Sequence, residues 1–174
     1  MKRTRYSYKD IMMTGSPMRT LILILVFMLS FSSLAMPESI ILVRHAEKHK
    51  GVDPSLTQQG IKRAKMIAQM MLPYEPTKLY STNYNRTKAT LAPLADLIDT
   101  HISLYNPGKL NEFASMLKQQ TGTIVVAGHS NTTPVLVKIL TGREVSIAEE
   151  EFDKVFVVTF EDETAKLKVH SSNQ

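Results

Sequence analysis

The chain has 174 residues, with 21 Lys+Arg against 16 Asp+Glu, no cysteine and no tryptophan. That length suits one ordinary domain with an appendage. The missing cysteines exclude a disulfide framework, Cys-ligated zinc, iron–sulfur ligation and thiol catalysis. At 43% hydrophobic and 21% charged, the composition is globular rather than disordered.

A net charge of +5 would fit a nucleic-acid or anionic-membrane partner if it were spread over the fold. It is not. Residues 1–35 hold Lys2, Arg3, Arg5, Lys9 and Arg19 against Asp10 alone, leaving 16 basic and 15 acidic side chains for residues 36–174. The basic start runs into nine consecutive apolar residues, 21–29, and then into small residues with Ser33 and Ala35 in an A-x-A-like arrangement. This is the pattern of a secretory signal peptide. The run falls short of the roughly 20 apolar residues of a membrane span, and an uncleaved anchor is the alternative. Met18 directly precedes Arg19 and this run, so residues 1–17 read as an upstream extension. The expected organisation is an N-terminal extension and signal peptide (or anchor) over 1–35 and one domain over 36–174. The expected location is periplasmic or secreted, or else anchored to the inner membrane facing the periplasm. No nucleic-acid partner is expected, and a membrane contact only if the apolar segment is retained.

Residues 39–43 (SIILV) form a short apolar run with β-branched residues, which predicts a strand buried on both faces. Residues 57–72 carry Ile61, Ala64, Ile67, Ala68 and Met71 at helical spacing, with Thr57 as N-cap and Pro73 as stop. Residues 78–80 suggest a short strand. Residues 86–98 read as a helix that Pro93 kinks or divides, and 108–120 as another. Residues 123–127 (TIVVA) repeat the buried-strand pattern, and 134–140 give a helix stopped at Gly142. Strands at 155–160 and 166–169, joined by Glu161, Asp162 and Glu163, predict an antiparallel hairpin. Alternating strands and helices indicate an α/β three-layer sandwich with a mostly parallel central sheet flanked by helices.

The ionisable groups cluster at strand ends. The first strand runs into Arg44-His45-Ala46-Glu47, and the strand at 123–127 into Gly128-His129-Ser130-Asn131. Tyr80-Ser81-Thr82 is followed by Arg86, Thr87 and Thr90. In open α/β sheets, ligands sit beyond the carboxyl ends of the strands. If the two apolar strands are parallel neighbours, His45 and His129 meet there. Two His and two Arg at such an edge make a cationic site fit for a phosphoryl group.

These three segments, in this order, resemble the histidine phosphatase (phosphoglycerate mutase-like) superfamily. Its Arg-His-Gly/Ala-Glu stretch is matched by residues 44–47. Its Ser-Ser/Thr-x-x-x-x-Arg-x-x-x-Thr setting is matched by Ser81-Thr82, Arg86 and Thr90. Its Gly-His-Ser/Asn segment is matched by residues 128–131. The resemblance spans residues 39–140 and implies His45 as a nucleophile that becomes phosphohistidine. It also implies Arg44 and Arg86 as grips on the phosphoryl oxygens, His129 as a third positive donor if protonated, and Asn131 at the substrate. A neutral imidazole is a competent nucleophile when its other nitrogen is held by a hydrogen bond. Planar guanidinium forks suit the equatorial oxygens. The family commonly places its proton donor between the second Arg and the second His. Glu112 is the candidate here, and Asp53 and Glu47 are the rivals.

His45-x-Glu47-x-His49 differs in order and context from the H-E-x-x-H zinc helix, so no metal and no cofactor are expected. Asn85-Arg86-Thr87 and Asn131-Thr132-Thr133 match the glycosylation pattern, but glycans there would block the site. The expected function is a metal-independent phosphatase acting on a small phosphomonoester or phosphoramidate, an envelope sugar phosphate being one such substrate. The contrasting expectation is a non-catalytic phosphate-binding or envelope interaction module of the same fold. Specificity is expected from the loops at 49–56 and 105–111.

Overall fold

The two apolar runs become the central strands of a six-stranded sheet. The computed structural model describes residues 36–161 and 164–173. The segment read as a signal peptide or anchor lies outside them. In chain order the elements are β1 (Ser39–Arg44), α1 (Gln58–Met71), a 3-10 turn (Leu72–Tyr74), β2 (Pro76–Ser81), α2 (Asn85–Leu97) and β3 (Ile102–Leu104). Then follow α3 (Leu110–Lys118), β4 (Thr123–Gly128), α4 (Thr132–Thr141), β5 (Lys154–Glu161) and β6 (Thr164–Ser171). The sheet order is β3-β2-β4-β1-β5-β6. The first four of these strands are mutually parallel, while β5 runs antiparallel to both β1 and β6.

Why β1 and β4 read as unbroken apolar runs follows from their two buried faces. Ile40 and Leu42, with Ile124 and Val126, pack against Phe113 and Leu117 of α3 and Leu136, Val137 and Leu140 of α4. Ile41 and Val43, with Val125 and Ala127, face the other way, onto Ile67, Ala68 and Met71 of α1 and Leu91 and Leu94 of α2. Two helices thus cover each face, giving the three layers expected. Thr57 caps α1, its Oγ1 accepting from Gly60 N–H at 3.1 Å. The helix α2 runs unbroken through Pro93, where the sequence suggested a kink or a division. The short edge strand β3 was not expected. Among the described residues, no helix is long and apolar enough to cross a membrane.

Register places the chemistry. Because β1 and β4 are parallel neighbours with Arg44 opposite Gly128, the residues that follow them leave the sheet side by side. His45 N–H still donates to Gly128 O at 2.9 Å, extending the pairing one residue into the site.

Candidate active site

At the carboxyl edge of the parallel strands lies a pocket of about 300 Å³, at the small end of ligand sites. Arg44, His45, Arg86 and His129 all line it, and so does Asn131. The two imidazole rings meet edge to face with centroids 5.5 Å apart. His45 is only 3% exposed, and its Nδ1 lies 2.8 Å from Ala46 O. A carbonyl can only accept, so Nδ1 carries the proton and the lone pair of the neutral ring is on Nε2. Ala46 is itself fixed: its N–H donates to Thr90 Oγ1 at 2.9 Å, and Thr90 donates to Arg86 O at 2.7 Å. One threonine therefore ties the loop bearing His45 to the helix bearing Arg86.

His129 is oriented by a one-way chain of donors. A guanidinium only donates, so Arg86 Nη2, 3.4 Å away, gives its N–H to His129 Nδ1. The Nε2–H then donates to Thr82 Oγ1 at 2.9 Å. Thr82 in turn meets Thr87 Oγ1 at 2.9 Å, which donates onward to Thr82 O and Tyr84 O. Arg86 is held on its other side by Asp53, 3.5 Å away, and by the Tyr84 ring, 4.4 Å below its guanidinium carbon.

Arg44 does two jobs. Its Nη1 donates to Ala148 O, Glu149 O and Glu151 O at 2.8–3.1 Å, latching the segment before β5, and Phe152 stacks on its guanidinium at 4.3 Å. Only Nη2 and Nε remain for a ligand. Among the described residues, the buried Nε atoms of Arg44 and Arg86 have no hydrogen-bond partner.

Burial lowers the pKa of His45 to about 4, with the Arg44 guanidinium adding to the shift and the bond to Ala46 opposing it. Burial likewise lowers His129 to about 4, Arg86 and Arg44 acting in the same direction. Both rings are neutral at pH 7 in the ligand-free site. Stability should follow. An unfolded chain takes up these protons near pH 6.5 and the folded chain only near 4, so stability is complete above 6.5 and is lost as pH falls toward 4. His45 alone accounts for about 3 kcal/mol of that loss. Denaturant titrations at stepped pH check this, and a flat profile between pH 6.5 and 5 would contradict it.

A sequence profile of the histidine phosphatase superfamily (branch 1) matches residues 40–114, the stretch that holds Arg44, His45 and Arg86. Over that stretch the chain is similar to the histidine phosphatase superfamily. No curated protein sequence matches it, but solved structures share its fold. The protein histidine phosphatase SixA, complexed with tungstate, superposes with a TM-score of 0.65 at 13% identity, covering 78% of this chain and 97% of SixA. Phosphoserine phosphatase from Entamoeba histolytica gives 0.59 at 16% identity, covering 76% and 96%. A mycobacterial glucosyl-3-phosphoglycerate phosphatase gives 0.59 at 10% identity, covering 79% and 99%. These likenesses establish the phosphoglycerate mutase-like fold.

The expected proton donor does not lie at this site. Glu112 does not line the pocket. It lies in a separate groove with Tyr105 and Phe113, its carboxylate on Lys109 at 3.0 Å. The reason is helix phase: α3 buries Phe113, Ala114 and Leu117, which turns Glu112 outward. Of the rivals, Glu47 is engaged by Arg63 through contacts of 2.7–2.9 Å. Asp53 accepts from Asn85 N–H at 2.8 Å while pairing with Arg86. Among the described residues, no group of three or more His, Asp or Glu is placed to hold a metal ion. Of the loops expected to set specificity, 105–111 reaches the pocket through Pro107, and 49–56 contributes Asp53 behind Arg86. Sequence reasoning missed Tyr84, Glu149 and Phe152. Tyr84 stands two residues before Arg86 and was within reach of the motif; the other two carry no local signal.

Proposed function

We propose that the chain is a phosphatase that hydrolyses a small phosphomonoester or phosphoramidate, without a metal ion, through a phosphohistidine on His45. The observation that carries this reading is the bond from His45 Nδ1–H to Ala46 O. It fixes the tautomer and leaves Nε2 as an unprotonated nucleophile in a pocket with two guanidinium groups. Arg44, through Nη2 and Nε, and Arg86 receive the phosphoryl oxygens. Each buried Nε gains the acceptor it lacks, relieving a cost of about 1–3 kcal/mol per orphaned donor. As the phosphoryl group moves in line toward His45, these cations stabilise its charge.

His129 changes state in the process. A doubly negative phosphoryl group beside it favours the imidazolium, whose Nδ1–H then donates to the ligand in place of accepting from Arg86. Asn131 at the rim contacts the ester oxygen or its substituent. The phosphatases of similar fold include ones named for phosphoserine and for glucosyl-3-phosphoglycerate, which supports a small phosphorylated substrate. The N-terminal pattern favours a substrate of the cell envelope.

The test is incubation of the protein with a chromogenic phosphomonoester in the presence of a chelator, with acid- and alkali-quenched samples analysed for bound phosphate. The expected result is chelator-resistant turnover and an alkali-stable, acid-labile phosphoryl group on the peptide that contains His45. No turnover across a broad ester panel, and no such label, would overturn the reading.

A further inference from the structure

A phosphohistidine mechanism on an alkyl ester needs a group to protonate the departing oxygen, and every acid favoured by the sequence is occupied or out of place. We propose that Glu149, on the segment between α4 and β5, is that acid, and the base for the water that follows. The proposal rests on the reading of His45 as nucleophile. Among the described residues, Glu149 is the only carboxylate that lines the pocket. Its side chain is 77% exposed, so it can turn without repacking. It spans the mouth of the site: Oε1 lies 3.6 Å from Arg44 Nη2 on one wall, and Oε2 accepts from Ser130 Oγ at 3.4 Å on the other. Both contacts are long and readily exchanged for substrate.

The backbone beneath it, by contrast, is fixed. Three carbonyls of this segment, that of Glu149 included, accept from Arg44 Nη1. Glu151, two residues on, is consumed by Ala148 N–H at 2.7 Å and Lys154 at 2.9 Å. Arg44, which grips the phosphoryl oxygens, therefore also sets the position of the acid. In this role Glu149 gives a carboxyl proton in the first step and recovers one in the second. In the first step His45 Nε2 bonds to phosphorus, the P–O bond to the leaving group breaks, and the Glu149 proton passes to that oxygen. In the second step the Glu149 carboxylate takes a proton from water. The water oxygen bonds to phosphorus, the P–N bond breaks with its electron pair returning to Nε2, and inorganic phosphate departs.

Leaving-group dependence tests this, because a general acid matters for a poor leaving group and little for a good one. Glu149→Gln keeps the shape and the bond from Ser130 but has no proton to give. Its kcat/KM for an alkyl phosphate should fall about 10²–10³-fold, and that for a nitrophenyl phosphate less than about 10-fold. An equal loss on both esters would reduce Glu149 to a support for Arg44 and overturn the proposal. A gain on both would make it an internal competitor for the phosphate site and would overturn the proposal equally. Selective loss of alkyl phosphate turnover in Glu112→Gln instead would return the role to Glu112. If wild-type protein forms phosphohistidine while the Glu149→Gln ratio is unchanged, only Glu149 fails. If wild-type protein hydrolyses neither ester, the phosphatase reading fails and this proposal with it.

Discussion

Replacing His45 with alanine is expected to lower kcat/KM by at least about 10⁴-fold and to abolish the phosphoenzyme, because no other side chain can take its place as nucleophile. The chain has no cysteine. The other imidazole in the same pocket is that of His129, whose Nδ1 is covered by Arg86 and whose Nε2 is committed to Thr82. Anion binding should survive. Arg44, Arg86 and His129 are untouched, so inorganic phosphate is expected to raise the melting temperature of His45→Ala about as much as that of the wild type, following ligand linkage. The stability cost in buffer should stay within about 2 kcal/mol, since the freed Ala46 carbonyl can take a water from the enlarged pocket. The acid-side loss of stability between pH 6.5 and 4 should also shrink, His45 being one of the two buried histidines lowered to about 4. Turnover kinetics, phosphoenzyme trapping and a thermal shift with phosphate together separate a lost nucleophile from a lost fold. A variant that melts normally, binds phosphate and still turns over would refute the role.

What could be read from the sequence divides along a physical line. The strands β1 and β4 were legible because burial on both faces forces continuous apolar runs, whereas their parallel pairing stood in the sequence only as a condition for His45 and His129 to meet. Arg44, His45, Arg86 and His129 were legible because each lies at the end of its own strand or the start of its own helix, where local sequence determines position. The strand β3 was missed because three half-exposed residues, Ile102, Ser103 and Leu104, leave no periodic trace. Pro93 does not divide the helix, because a proline's lost hydrogen bond and ring clash can be outweighed when Leu91 and Leu94 on either side of it are fully buried. The partners of Arg44 lie more than 100 residues downstream, in a segment with neither periodicity nor motif. Only tertiary contact brings Glu149 and Phe152 to the site. Glu112 shows the complementary failure: the order along the chain was plausible, but order does not fix which side of a helix faces the pocket.

Gly60→Ala should be the most damaging single methyl in the domain, against the ordinary rule. Within a helix, alanine is favoured over glycine by about 1 kcal/mol, and Gly60 stands in the first turn of α1. A Cβ at this position, however, would lie 2.1 Å from Glu47 O and 3.0 Å from that residue's C and N. The obstacle is backbone, and it is pinned. Glu47 O accepts from Thr57 N–H at 2.9 Å, the Glu47 carboxylate is gripped by Arg63 of the same helix, and Ala46 N–H is fixed to Thr90. Helix and loop must therefore separate by about 1 Å, which overpacking data place at 1–3 kcal/mol or more. With the propensity gain already included, the expected net loss is about 2–4 kcal/mol, a fall in melting temperature of about 5–15 °C for a domain of this size. Gln59→Ala, one residue earlier and exposed, should stay within about 0.5 kcal/mol. The residue that would be pushed is the neighbour of Ala46, whose carbonyl sets the His45 tautomer, so kcat should fall as well, by about 10²-fold for a displacement of that size. Thermal melts and steady-state kinetics on the two variants decide the matter. A Gly60→Ala protein that melts higher than wild type would mean that α1 does not press on the His45 loop as described, and that the loop owes its conformation to Thr90 alone.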